Sequence, residues 1–203
     1  MIKRAIDLLA ACVALVVFFP VLVACALAVR LSSPGPILFC QERLGQHGKP
    51  FLLFKFRTMY QDCAPIRNPD GSTYVGNDDH RVTSVGRLLR KNSMDELPQL
   101  FNVIRGEMSL VGPRPDQVDQ LRFYTESEKR KLLTKPGLTG LAQINGRNNI
   151  CWERRKALDL EYVDGRTLWM DLAIIARTIP YVLLRKDVNA DDDHSHPQTT
   201  SSH

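Results

Sequence analysis

Histidine and cysteine are scarce in this chain, and neither is arranged for chemistry. The five cysteines (Cys12, Cys25, Cys40, Cys63, Cys151) are odd in number and scattered, with no CxxC pair. That excludes a disulfide framework and predicts reduced, mostly packed thiols in a cytosolic setting. Of the five histidines, three (His194, His196, His203) lie in the terminal tail and none falls in an HExxH pattern, so no zinc site is expected. Internal repeats are missing. Acidic residues are in deficit, 22 against 27 Lys and Arg, giving a net charge of +5 and a pI near 9.0. A basic balance suits nucleic acid, anionic headgroups or phosphorylated substrates.

The apolar residues are concentrated at one end. Leu8 to Val29 is an unbroken apolar run interrupted only by Pro20. At about 1.5 Å per helical residue it would reach roughly 33 Å, enough for a bilayer core. It is too long for a signal-peptide core, and no small-x-small cleavage site follows it. A membrane location favours lipid and phosphorylated partners over nucleic acid. Two topologies fit the run. One is a simple spanning anchor. The other is a re-entrant, hairpin-like helix, because Pro20 should free the carbonyl of Val16 and cations flank both ends (Lys3, Arg4 and Arg30).

Past Ser32-Ser33-Pro34-Gly35-Pro36, a cluster that breaks regular structure, the 203 residues leave room for one domain. Ile37–Phe39 and Phe51–Phe56 read as a β-hairpin around Gly45–Lys49. Asp62–Asp79 reads as loop. Val82–Lys91 has helical periodicity, a second helix follows and ends before Gly106, and charged helices are expected over Thr125–Leu133 and Trp152–Tyr162. Trp169–Leu184 reads as an amphipathic interfacial helix, with Trp152, Trp169 and Tyr181 as possible anchors or core aromatics. The acidic, polar residues after Asp191 predict disorder.

The chemistry centres on Ser93-Met94-Asp95-Glu96-Leu97-Pro98-Gln99-Leu100 and Gly112-Pro113-Arg114-Pro115, set among Arg81, Arg87, Arg90, Lys91 and Arg105. Ser93 followed by Glu96 is a capping-box pattern, so these residues could simply start a helix. Two carboxylates among arginines also suit phosphate chemistry, one attacking phosphorus or holding a cation while the arginines bind the anion. Adjacent helical residues point about 100° apart, which favours divided tasks: Asp95 as nucleophile, Glu96 as magnesium ligand. Lys55 and Arg57 alternate with Phe54 and Phe56 as on a half-buried strand. Arg90 either holds the carboxylates or substrate, or is a surface arginine. Arg114 sits between prolines that fix its backbone. Gly137, Gly140 and Gly146 could let backbone amides approach an anion near Arg147. Lys129-Arg130-Lys131 and Arg154-Arg155-Lys156 read as solvated faces or headgroup contacts.

Five segments in order carry a resemblance: Lys3-Arg4-Ala5-Ile6-Asp7, Phe54–Met59, Asp95–Leu100, Pro113-Arg114-Pro115 and Lys135–Asn148. Together the chain resembles a bacterial sugar transferase, a small monotopic phosphoglycosyl transferase. The resemblance implies a mixed α/β, mainly helical fold with a short β-hairpin. It implies a re-entrant membrane helix over 1–31, a cytoplasmic catalytic domain over 32–188 with interfacial helices, and a disordered tail over 189–203. It implies transfer of a sugar 1-phosphate from a nucleotide sugar, UDP expected, to polyprenyl (undecaprenyl) phosphate, at the cytoplasmic face of the bacterial inner membrane, starting glycoconjugate assembly such as exopolysaccharide or lipopolysaccharide. Asp95 and Glu96 would be catalytic, with Glu96 on Mg2+. Lys55, Arg90, Arg114 and Arg147 would bind substrate, and Pro20 would mark the membrane kink. Where the family's kink carries Ser-Pro, this chain has Phe19-Pro20 and lacks a hydroxyl for the freed carbonyl. Membrane lipids are expected partners, nucleic acid is not, and a homodimer stays open. The rivals are direct transfer without a covalent intermediate, a phosphatase-like reaction, and a non-catalytic adaptor that binds anionic lipid.

Overall fold

The computed structural model describes residues 2–64, 66, 79–146 and 150–183. Most of the expected Asp62–Asp79 loop, Arg147 and the expected tail 189–203 lie outside them. The architecture is mainly helical with two small sheets. Helix α1 (Ile2–Ser32) is helical on both sides of Pro20, and it is long and apolar enough to cross a membrane. Strands β1 (Leu38–Leu44) and β2 (Pro50–Phe56) pair antiparallel, Leu38 opposite Phe56 and Leu44 opposite Pro50. The hairpin was legible from the sequence, although β1 extends through Cys40-Gln41-Glu42-Arg43, which the apolar pattern alone left out.

Helix α2 (Ser84–Lys91) starts where the Thr83 hydroxyl accepts the Gly86 amide. A 3-10 turn over Met94–Glu96 and helix α3 (Gln99–Arg105) follow, and Gly106 closes α3 in the left-handed conformation at φ 84°. A side chain costs energy there, and the Gly106 amide reaches back to Asn102 and Val103. Strand β3 (Ser109–Val111) pairs in parallel with β4 (Gly137–Thr139). Helices α4 (Leu141–Ile144), α5 (Trp152–Gly165) and α6 (Leu168–Leu183) complete the order. The charged helix expected over Thr125–Leu133 is a 3-10 segment over Glu128–Leu133, preceded by another over Val118–Phe123.

The core explains why α1 belongs to the domain. Near its start, Ala11 packs with Leu53, Leu100, Val103 and Met108; near its end, Cys25 and Val29 pack with Phe56 and Leu89. Between and around these contacts Val13, Val16, Val17, Phe19 and Val23 remain exposed. Polar groups fix both ends. Lys3 pairs with Asp171 at 2.6 Å, Arg4 donates to the Val103 and Ile104 carbonyls of α3, and buried Asp7 accepts from Ser109 Oγ and the Leu110 amide. At the other end Arg57 donates to the carbonyls of Ser33, Pro34 and Pro36 and to Ser33 Oγ. Arg57, read as a strand-face cation, is instead a buried tie for the exit of α1.

Two further expectations are corrected, on the cysteines and the lysines, and one left open, on the tryptophans, is decided. Four of the five cysteines are exposed and only Cys25 is buried, so most thiols are not packed. Trp152 is a core aromatic, 3% exposed and edge-on to Phe123, whereas Trp169 is 82% exposed. Lys131 and Lys156 are buried rather than solvated; Lys156 pairs with Glu128 at 2.8 Å.

Candidate active site

The hairpin, the Met94–Glu96 turn and the Pro113–Pro115 loop bring their charges to one place. Ser93 has a left-handed backbone (φ 55°) and makes no side-chain cap, so the expected capping box does not form. Pro98 takes the cap position of α3 instead, which uses the proline where its missing N–H costs nothing. The turn is thereby pinned between α2 and α3, with Asp95 buried and Glu96 half-buried.

Lys55 Nζ and Arg114 Nη2 both bond Glu96 Oε1, at 3.0 and 2.9 Å. The two cations are therefore within about 6 Å of each other, where their repulsion is about 3 kcal/mol before solvent screening. The shared oxygen, half as far from each, more than offsets it. Burial opposes the charge on Glu96, but the Arg114 guanidinium and Lys55 ammonium hold its carboxyl far below the usual carboxylate range. The same carboxylate raises the proton affinity of Arg114. Burial lowers that of Lys55 despite Glu96.

Asp95 differs. It has no hydrogen bond or ion pair to a described residue, and burial pushes its carboxyl up, against the pull of Lys55 and with the push of Glu96. Arg90 donates from Nε to Thr58 Oγ1 at 2.9 Å, and its charge faces Asp95. The structure thus brings together Lys55, Arg90, Asp95, Glu96 and Arg114.

The glycines near β4 are explained by packing. A side chain at Gly137 or Gly140 would run into the Gly112 backbone, and the amide of Gly137 bonds the Pro113 carbonyl. These two positions close a tight strand pairing that holds the Arg114 loop; Arg147, expected to meet an anion beside them, lies outside the described residues. Asp116, Asp159 and buried Lys131, which support that loop, were missed; the Lys129-Arg130-Lys131 run disguised a buried lysine as part of a solvated face. The docking roles of Lys3, Arg4 and Asp7 were also missed, although their place just before the apolar run was a usable signal.

A cation-rich site around two unlike carboxylates, on a domain whose core includes a long apolar helix, suits an enzyme that handles anionic substrates. Residues 1–185 match the family described as bacterial sugar transferase, and the chain belongs to it. It is 45% identical over 192 residues to the uncharacterized sugar transferase EpsL of Bacillus subtilis (strain 168), covering 92% of this chain and 90% of that one. The exopolysaccharide production protein ExoY of Rhizobium meliloti (strain 1021) is 43% identical over 197 residues, covering 92% and 87%. The UDP-glucose:undecaprenyl-phosphate glucose-1-phosphate transferase of Caulobacter vibrioides is 44% identical over 189 residues, covering 89% of this chain and 69% of that protein.

Proposed function

We propose that this enzyme transfers a sugar 1-phosphate from a UDP-sugar to undecaprenyl phosphate through a covalent intermediate on Asp95. The observation that carries the reading is the asymmetry of the dyad: Glu96 is taken by Lys55 and Arg114, while Asp95 beside it has no hydrogen bond or ion pair to any described residue. A desolvated, unbonded carboxylate is a good nucleophile once ionised. Asp95 attacks the sugar-linked phosphorus, the bond to the nucleoside monophosphate breaks, and an acyl phosphate remains. An oxygen of the lipid phosphate then attacks the same phosphorus, forms the diphosphate and returns the Asp95 carboxylate. Lys55, Arg90 and Arg114 offset charge on the phosphoryl oxygens. The acceptor is ionised near neutral pH, so it needs no strong base, which favours a nucleophilic Asp95 over a basic one.

Mg2+ fits the residues present. Glu96 is ionised, its two cations converge on Oε1, and no described residue bonds Oε2. Among the described residues no group of three or more acidic, histidine or cysteine side chains forms a protein cage. Glu96, with diphosphate oxygens, would hold the ion, which would neutralise the diphosphate and ease departure of the nucleotide.

The membrane reading is a re-entrant α1 with the catalytic domain on the cytoplasmic face of the inner membrane. It is supported by the docking of both helix ends on one domain, Lys3 and Asp7 at one end and Val29 and Ser33 at the other. A straight 31-residue helix is about 46 Å long, so a spanning helix would carry its ends to opposite sides of the bilayer.

The test is a panel of nucleotide sugars with undecaprenyl phosphate, following nucleoside monophosphate release. Labelled nucleoside monophosphate should exchange into the sugar nucleotide without lipid, and Asp95→Asn should abolish that exchange. Exchange that strictly requires the lipid, with no phosphosugar adduct on Asp95 by intact mass, would leave direct transfer standing. Absence of release with every donor would overturn the reading.

A further inference from the structure

We propose that Lys131 is a positioning residue for the reaction, a buried pivot that sets the Arg114 guanidinium on Glu96. Its neighbours Lys129 and Arg130 are about half exposed, while Lys131 is 5% exposed on the side chain. Its Nζ lies 2.6 Å from Asp116 Oδ2 and 2.7 Å from Asp159 Oδ2. One carboxylate comes from the residue immediately after Pro115, the other from α5. The lysine therefore ties the exit of the Arg114 loop to a helix that has no other role in the site.

The tie continues on both sides. Tyr124 donates its hydroxyl to Asp116 Oδ2, and the Asp116 carbonyl accepts the Leu44 amide of β1 at 2.9 Å. Arg43 of β1 donates to the Pro115 carbonyl. The backbone N–H of Arg114 faces the Asp159 carboxylate. The loop is thus held to the hairpin that carries Lys55 and to α5 through one buried ammonium. Such a hold is needed because Lys55 and Arg114 share one oxygen and repel each other. Without Lys131, Asp116 and Asp159 lose the ammonium between them, Asp116 keeps Tyr124 and the charge of Arg155, and the loop yields. Lys131 is too buried to touch substrate, so its effect passes through Arg114.

The inference rests on the transferase reading, and a double-mutant cycle separates it from a general loss of folding. Arg114→Ala should lower kcat/KM about 100-fold by removing a donor to the phosphoryl oxygens. Lys131→Met should lower it on the order of 30-fold by misplacing that donor. The double variant should be no worse than Arg114→Ala alone. Multiplied losses, or full activity in Lys131→Met, would overturn the proposal. If Lys131→Met does not fold, Asp159→Asn, which keeps the Asp116 pair, is put through the same cycle and judged by the same outcomes. Amide hydrogen exchange over residues 109–118 gives a readout independent of turnover. It should rise in Lys131→Met while α2 and α3 stay protected. Should no nucleotide sugar be a substrate, the functional reading falls and this exchange pattern still decides the pivot; uniform or unchanged exchange would reject it.

Discussion

The molecule contains two ionic clusters that differ in their access to solvent. At the active site, Lys55, Arg90 and Arg114 surround Asp95 and Glu96, leaving cationic charge in excess beside solvent. Deeper in the domain, Lys131 stands between Asp116 and Asp159, sealed from solvent, with the charge of Arg155 also acting on Asp116. In the open cluster the excess positive charge suits an anion that can enter, which the diphosphate of the proposed donor would supply. In the sealed cluster nothing enters, and burial pushes the Asp159 carboxyl up while Lys131 holds that of Asp116 down. One cluster offers a binding capacity and the other is a structural hold.

The sharpest way to break the contrast is Asp95→Asn. It should lower turnover by about 10⁴-fold, the scale on which removing a nucleophile acts, measured by nucleoside monophosphate release. Glu96→Gln comes next, with a loss on the order of 10²-fold and a weaker response to Mg2+, because the clamp of Lys55 and Arg114 loses its charge. Full activity at low Mg2+ would leave Glu96 with no metal role. In the sealed cluster, Asp116→Asn should cost about 3 kcal/mol of stability by chemical denaturation, as expected when one partner of a buried pair is removed.

Asp95→Asn should do the reverse and raise the Tm at neutral pH, by about 2–4 °C. The sign follows from its raised folded-state proton affinity. Such a group favours the fold fully only below its unfolded pKa and loses that contribution as pH rises through the folded value. The gain in Asp95→Asn should therefore vanish toward pH 4, the ordinary aspartate range. The smallest expected effect is on the pH profile. The acid limb of kcat/KM should lie above the ordinary carboxylate range and should track Asp95 ionisation; a limb within that range would remove the desolvated nucleophile.

Local pattern was enough for the hairpin, α2 and the stop at Gly106, whereas the convergence of Lys55 and Arg114 on Asp95 and Glu96 was legible only through the family resemblance. Alternation, capping and breaker residues act over a few positions, so they are visible in sequence. Ser93 misled because the capping box competes with a left-handed turn that Pro98 and the packing of α3 impose. The parallel β3–β4 pair was invisible, since three-residue strands far apart in sequence leave no periodic signal. Lys131, Lys156 and Arg57 misled for one reason. A basic side chain is normally solvated, and only tertiary carboxylates or carbonyls from distant segments make its burial tolerable.

Helix α1 contributes Ala11, Cys25 and Val29 to the interior and is tied down at both ends. The apolar helix and the catalytic residues therefore share one packed core. In the proposed membrane reading, the height of Glu96 and Asp95 above the lipid is set by the depth at which the exposed valines and Phe19 settle. A generic spanning helix grafted in place of α1 would keep the protein at the membrane and lose the altitude at which a lipid-borne phosphate arrives. On that reading, the helix that fastens the enzyme also sets its reach to the proposed acceptor.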